Sequence, residues 1–211
     1  MRLILVRHGQ TDWNVERRLQ GSTDKELNEL GRKQAECLAD LLKDEPLVAI
    51  YASPLKRATE TARIIARPHG LSLQTAPCLM ELDQGDLEGL THQDLVTNHA
   101  DLLKRWAENP GPVKMPGGES LQELQDRAWS CIQRLMAQHN QGSVAVVSHN
   151  LTILSIICKA IQLDLSCFRR LRQEPASVSI LDLGERGITL VALNDTCHLK
   201  HSGIYSSHMP G

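Results

Sequence analysis

Three stretches of this sequence end an apolar run on a cation or an imidazole. Leu3–Val6 leads into Arg7-His8-Gly9, the run 47–52 leads through "SPLK" into Arg57, and Val144–Val147 leads through Ser148 into His149. Short runs of aliphatic and β-branched residues read as buried strands. In an open α/β sheet, the carboxyl ends of the strands form the crevice in which ligands bind. Arg7, His8, Arg57 and His149 are therefore expected to meet. Alone, each reads as a salt-bridged arginine or a satisfied histidine; together they would repel one another unless a dense anion belonged between them. Phosphate matches the arginine fork.

The pattern constrains the chemistry further. Neither G-x-x-x-x-G-K-[ST] nor G-x-G-x-x-G occurs, and no Asp/Glu cluster stands at a strand end to carry Mg²⁺. Phosphoryl chemistry without metal, nucleotide or other cofactor is the expectation. An imidazole beside an arginine can attack phosphorus while the cations neutralise the equatorial oxygens, which makes His8 the natural nucleophile. A leaving alkoxide must receive a proton, so a carboxylic acid should overlook the site. "MELDQGDLEG" offers Glu81, Asp83, Asp86 and Glu88, and residue type does not choose among them.

The elements that must position these residues alternate between strand and helix. Strands are expected at 2–6, 47–52, 71–76, 144–148, 178–183 and 188–193. Asn28 to Lys43 carries Leu30, Ala35, Leu38 and Leu42 on one face and is followed by Pro46, as an amphipathic crossover helix requires. Ser53 as N-cap and Pro54 at the first helical position would open a second helix with Ala58, Ala62, Ile65 and Ala66 on its core face. Ser120 and Glu123 form a capping box ahead of a third, running to about His139, and "SHNLTILSII" hands a strand over to a fourth. The last two strands read as a hairpin. The layout is α/β.

With 211 residues and formal net charge −2, the chain is read as one domain over 1–200 with a tail at 201–211. Its cations form no run that would coat nucleic acid or a membrane surface. No stretch approaches the roughly 20 apolar residues of a membrane span. The six cysteines show no C-x-x-C pair, which fits reduced thiols in the cytoplasm. Aromatics are 3% of the residues, too few for base-stacking platforms.

"LVRHGQTDWN" resembles the signature of the histidine phosphatase superfamily, in its phosphoglycerate mutase-like branch. The resemblance continues through "LQGSTDKELNELGRKQA", "YASPLKRATETA", "LMELDQGDLEG", "PGGESL" and "VVSHNLTI", roughly residues 1 to 160. It implies a three-layer α/β/α sandwich around a mostly parallel sheet. It also implies that His8 is phosphorylated in turnover, that Arg7, Arg57 and His149 form the phosphate pocket, and that Glu81 is the proton donor. Asn14 and Gln20 fall where side chains of the family contact the phosphate or ester oxygen, and Gly21 where a backbone amide approaches. A helix cap or loop contact is the competing reading for Asn14 and Gln20.

Within the superfamily the segment 81–118 is short, whereas mutases of this branch carry a longer insertion there. Hydrolysis of a small phosphomonoester is therefore expected, with a cofactor-dependent phosphoglycerate mutase and a non-catalytic phosphate- or partner-binding module as alternatives. The layout, including "NDTCHL", is similar to the metal-independent phosphoserine phosphatases, with α-ribazole and glucosyl-3-phosphoglycerate phosphatases close by. Phosphoserine or a sugar or glycerate phosphate is the expected substrate. Gln84 departs from the phosphoserine pattern, where a histidine would stand, while His198 keeps that group open. A homodimer is a further expectation. His92, His99, His139, His201 and His208 are read as solvated, Trp106 and Trp129 as packing residues, and Trp13 as packing before pocket wall.

Overall fold

A computed structural model describes residues 1–184 and 187–204. Among them run six strands: β1 (Arg2–Arg7), β2 (Leu47–Ala52), β3 (Leu73–Thr75), β4 (Ser143–Ser148), β5 (Val178–Gly184) and β6 (Gly187–Asp195). The helices are α1 (Asp12–Val15), α2 (Glu29–Leu42), α3 (Lys56–Ala66), α4 (His92–Asn98), α5 (Ala100–Glu108), α6 (Leu121–Gln138), α7 (Asn150–Ala160) and α8 (Cys197–His201). The strands form one sheet in the order β3-β2-β4-β1-β5-β6. The first four are parallel, and the β5–β6 hairpin adds two antiparallel strands.

Alternation along β1 builds three layers. Leu3 and Leu5 pack with Ala128, Ile132 and Leu135 of α6 and Ile153, Ile156 and Ile157 of α7. Ile4 and Val6 point the other way, onto Leu38 and Leu42 of α2, Ala58, Ala62 and Ile65 of α3, and Leu199 of α8. Period-2 strands between period-3.6 helices leave no other arrangement. A third cluster joins Leu95 of α4, Leu102 of α5, Leu82, Leu87, Met115 and Phe168. It stands beside the crevice.

Register brings the strand ends level. Arg7 pairs with Ser148 across β1 and β4, and Ala52 pairs with Val147 across β2 and β4. The turn after β1 then packs hard against α2. A Cβ on Gly9 would stand 2.4 Å from the Gly31 carbonyl oxygen, and one on Gly31 would stand 2.1 Å from that of Gln10. Both positions need glycine for close backbone approach.

Two helix starts differ in kind. Ser120 and Glu123 make the expected capping box on α6. Ser53 does not cap α3, which begins at Lys56 with Pro54 outside it. Instead the Lys56 backbone N–H donates to Asp24 Oδ1 at 2.7 Å, so a distant loop supplies the cap. At the C-terminus α8 extends through His201, and residues 205–211 of the expected tail, His208 among them, lie outside the described residues.

Candidate active site

The end of β1 fixes His8 on all sides. Its backbone N–H donates to the Ser148 carbonyl at 3.0 Å, and its own carbonyl accepts from Ala176 at 3.1 Å. The ring is buried, and Nδ1 lies 2.7 Å from the Gly9 carbonyl oxygen. A carbonyl only accepts, so Nδ1 carries the proton and Nε2 keeps its lone pair. Burial, then the charges of Arg57 and Arg7, hold this imidazole well below the usual histidine pKa of 6.5. A neutral, oriented imidazole is the form a nucleophile needs.

Arg57 stands in the first turn of α3. Nη1 donates to the Thr23 carbonyl and Nη2 to the Gly21 carbonyl, each at 2.8 Å, while Nε donates to His149 Nδ1 at 3.2 Å. That contact assigns the proton of His149 to Nε2, which is buried without a partner. The His149 ring sits 5.1 Å from that of His8, and burial followed by the charges of Arg57, His8 and Arg7 keeps it neutral. Burial likewise lowers Arg57 to about 10. Arg7 donates through Nη1 to the Gln173 carbonyl, its Nε is buried without a partner, and burial lowers its pKa too.

Of the four carboxylates, Glu81 alone lines the cavity that these residues floor. It rests on the N-terminus of α7: Oε2 accepts from Leu151 N at 3.2 Å, and Oε1 accepts from Thr152 N at 3.2 Å and Leu82 N at 2.9 Å. Helix N-termini favour negative charge. Asp83 is turned to Gly85 N, Asp86 is exposed, and Glu88 is spent on Ser22 and Thr23.

Asn14, Gln20 and Gly21 line the same cavity. The cap and loop contacts of the two amides are present in the structure. Asn14 Oδ1 accepts from Thr11 N in the capping box of α1, and Gln20 Oε1 accepts from Thr11 Oγ1, each at 3.0 Å. With their oxygens engaged, the NH₂ groups are the remaining donors. His149 is the exception among the eight predicted residues: it lies fully buried behind His8 and does not itself line the cavity. No three His, Cys, Asp or Glu side chains converge as a metal would need, among the described residues.

A family model described as histidine phosphatase superfamily (branch 1) matches residues 3–196. The chain belongs to this superfamily. It is 36% identical over 199 residues to phosphoserine phosphatase 1 of Hydrogenobacter thermophilus, covering 94% of each chain. It is 35% identical to phosphoglycerate mutase-like protein 4 of Arabidopsis thaliana, covering 99% of this chain and 91% of that one. A mycobacterial glucosyl-3-phosphoglycerate phosphatase solved with VO3 superposes with a TM-score of 0.86 at 29% identity, over 92% of this chain and 99% of that one. The names span phosphatases and a mutase-like protein, and the chain is accordingly a phosphatase or mutase of the histidine phosphatase superfamily.

Several positioning residues of this superfamily member went unread in its sequence. Thr61, one helical turn after Arg57, accepts from Gly9 N at 3.1 Å and donates to the Arg57 carbonyl at 2.8 Å. Arg127 of α6 donates to the carbonyls of Cys78, Met80 and Glu81, each at 2.9 Å, and so fixes the loop that presents Glu81. Trp106 packs edge-on against Phe168 as expected, and it also lines the cavity. His139 is also not free in solvent, since Nε2 meets the Tyr51 hydroxyl at 2.9 Å. Trp129 packs on the core as expected, while Trp13 carries Lys25 over its ring and does not line the cavity. Gln84 lines the cavity and His198 does not.

Proposed function

We propose that this enzyme hydrolyses a small phosphomonoester, without metal or other cofactor, through a phosphohistidine on His8. The observation that carries the reading is the locked tautomer: Nδ1–H on the Gly9 carbonyl, Nε2 bare, in a ring kept neutral by burial among cations. Nε2 attacks phosphorus in line with the ester oxygen, a P–N bond forms, and the P–O bond breaks. Arg7 and Arg57 stabilise the charge on the equatorial oxygens, with the amides of Asn14 and Gln20 and the backbone of Gly21 beside them, while His149 behind His8 accepts from Arg57 Nε and so helps to aim that guanidinium. Glu81 gives its proton to the departing alkoxide, then takes one from the water that cleaves the P–N bond. Phosphate leaves, and His8 returns to its starting state.

The short segment 81–118 favours water over a second acceptor. The test is hydrolysis of an aryl phosphate in excess EDTA, with rapid acid quench of the enzyme. Undiminished turnover after chelation and an acid-labile phosphoenzyme are expected. His8→Ala should lose both by orders of magnitude. Retention of activity in that variant would overturn the nucleophile, and bisphosphate-stimulated exchange within 3-phosphoglycerate outrunning hydrolysis would make the chain a mutase.

A further inference from the structure

Resting on the phosphatase reading above, we infer that the preferred substrates are monoesters of apolar, uncharged alcohols rather than of amino-acid, glycerate or sugar alcohols. The cavity of about 330 Å³ carries its catalytic group, Arg7, His8, Arg57 and Glu81, at one end. The leaving group must lie beyond Glu81, which protonates it. There the wall is Leu87, Leu95, Leu102, Trp106, Met115 and Phe168. All but the half-buried Trp106 are buried even with the cavity open, and all six pack in one cluster, so the wall is preformed.

The aromatic content makes the placement sharper. The chain has one Phe, three Trp and two Tyr, and its single Phe meets Trp106 edge-on at 6.0 Å on this wall. Such a corner offers an apolar face to a ring or an alkyl chain.

Charge on the wall points the same way. Beyond the phosphate end the lining includes one ionic side chain, Arg18, whose Nε donates to Glu16 Oε2 at 2.6 Å and whose Nη1 donates to the Gly89 carbonyl at 2.8 Å. A carboxylate on the leaving group would find there only Arg18, already paired with Glu16, and an ammonium no carboxylate but the catalytic Glu81. Gln84 and Asn150 add neutral amides to the lining and no charge. Polar groups buried without partners weaken binding, whereas each apolar CH₂ buried gains about fourfold in affinity.

The test compares kcat/KM for esters of similar leaving-group acidity: n-butyl and n-hexyl phosphate against glycerol phosphate, phosphoserine and 3-phosphoglycerate. Hexyl phosphate is expected to exceed each polar ester by at least about tenfold, with about fourfold per added CH₂ until the cavity fills. Leu95→Gln and Trp106→Ala should narrow that ratio. Because either variant can misfold, a series of n-alkylphosphonates is also titrated against the unaltered protein by calorimetry, and Kd should fall with chain length by the same factor. His8-dependent hydrolysis that favours phosphoserine, 3-phosphoglycerate or glycerol phosphate would overturn the substrate class and leave the phosphatase standing. Flat phosphonate affinity would do the same. No hydrolysis of any ester would overturn the phosphatase reading, and the substrate class with it.

Discussion

Acidification should destabilise the unliganded enzyme in a window set by two buried imidazoles. His8 and His149 are both held well below 6.5 by burial and by neighbouring cations. Below pH 6.5 the unfolded chain takes up a proton at each histidine while the folded chain does not. The unfolded state then binds more protons, so stability falls as pH falls, until the folded-state pKa values are reached; above 6.5 the term is flat. Each group costs about tenfold in the folding equilibrium per pH unit. From pH 7.5 to 5.5 the pair together costs about 100-fold, or roughly 3 kcal/mol, a large share of the 5–15 kcal/mol typical of a domain. Urea midpoints at the two pH values measure the loss in phosphate-free buffer. His8→Asn removes one titrating group, so its loss over the same interval should be smaller by about tenfold in the equilibrium. All other titrations remain common to both proteins. Parallel losses in wild type and variant would refute a neutral His8 and, with it, the lone pair required for attack.

Glu81→Gln should lower kcat by about 10²–10⁴-fold for alkyl esters, which need a proton, and far less for aryl esters with good leaving groups; steady-state kinetics on the two classes gives the comparison. Glu88→Ala removes the acceptor for Ser22 N at 2.6 Å and Thr23 N at 2.8 Å, loosening the loop whose carbonyls aim Arg57. A loss of about 1–3 kcal/mol in urea and a fall in kcat/KM are expected, with partial rescue by Glu88→Gln. Ser120→Ala breaks the capping box of α6 and should cost about 1 kcal/mol in urea while kcat/KM is unchanged, since neither Ser120 nor Glu123 reaches the cavity.

The elements were legible because their periods are local. Leu3–Val6, Ser120 with Glu123, and the α2 stripe each carry their signal within a few residues. The α3 start was not, because Asp24 caps it from 32 residues away and no pattern near Ser53 records that. Choosing Glu81 from residue type failed for the same reason: what distinguishes it is contact with Leu151 and Thr152, some 70 residues on. Family resemblance supplied that choice; spacing did not. Gln173 holds Arg7 through its backbone carbonyl, which any residue offers, so its type carries no signal. Trp106 was read as packing, which it does, and its place on the cavity lining depends on Phe168, 62 residues on.

The manner in which the arginines are held explains what the site can do. On the surface this chain pairs arginine with carboxylate, as in Arg2 with Asp182 and Arg32 with Glu60. In the site it does not: Arg57 rests on the carbonyls of Gly21 and Thr23, and Arg7 on that of Gln173. A carbonyl dipole orients a guanidinium without neutralising it, so the positive charge stays available to an anion. A carboxylate in its place would have competed with the phosphate for the same fork. The cost is a buried, under-compensated charge, visible as pKa values lowered at both arginines by desolvation. The carboxylate that lines the cavity, Glu81, hydrogen-bonds the amides of α7 rather than either arginine, and its charge offsets part of the desolvation of both. Cations held by dipoles and an acid held by a helix terminus leave the centre of the cavity electrically open, and a phosphoryl group is the chemistry that such an opening fits.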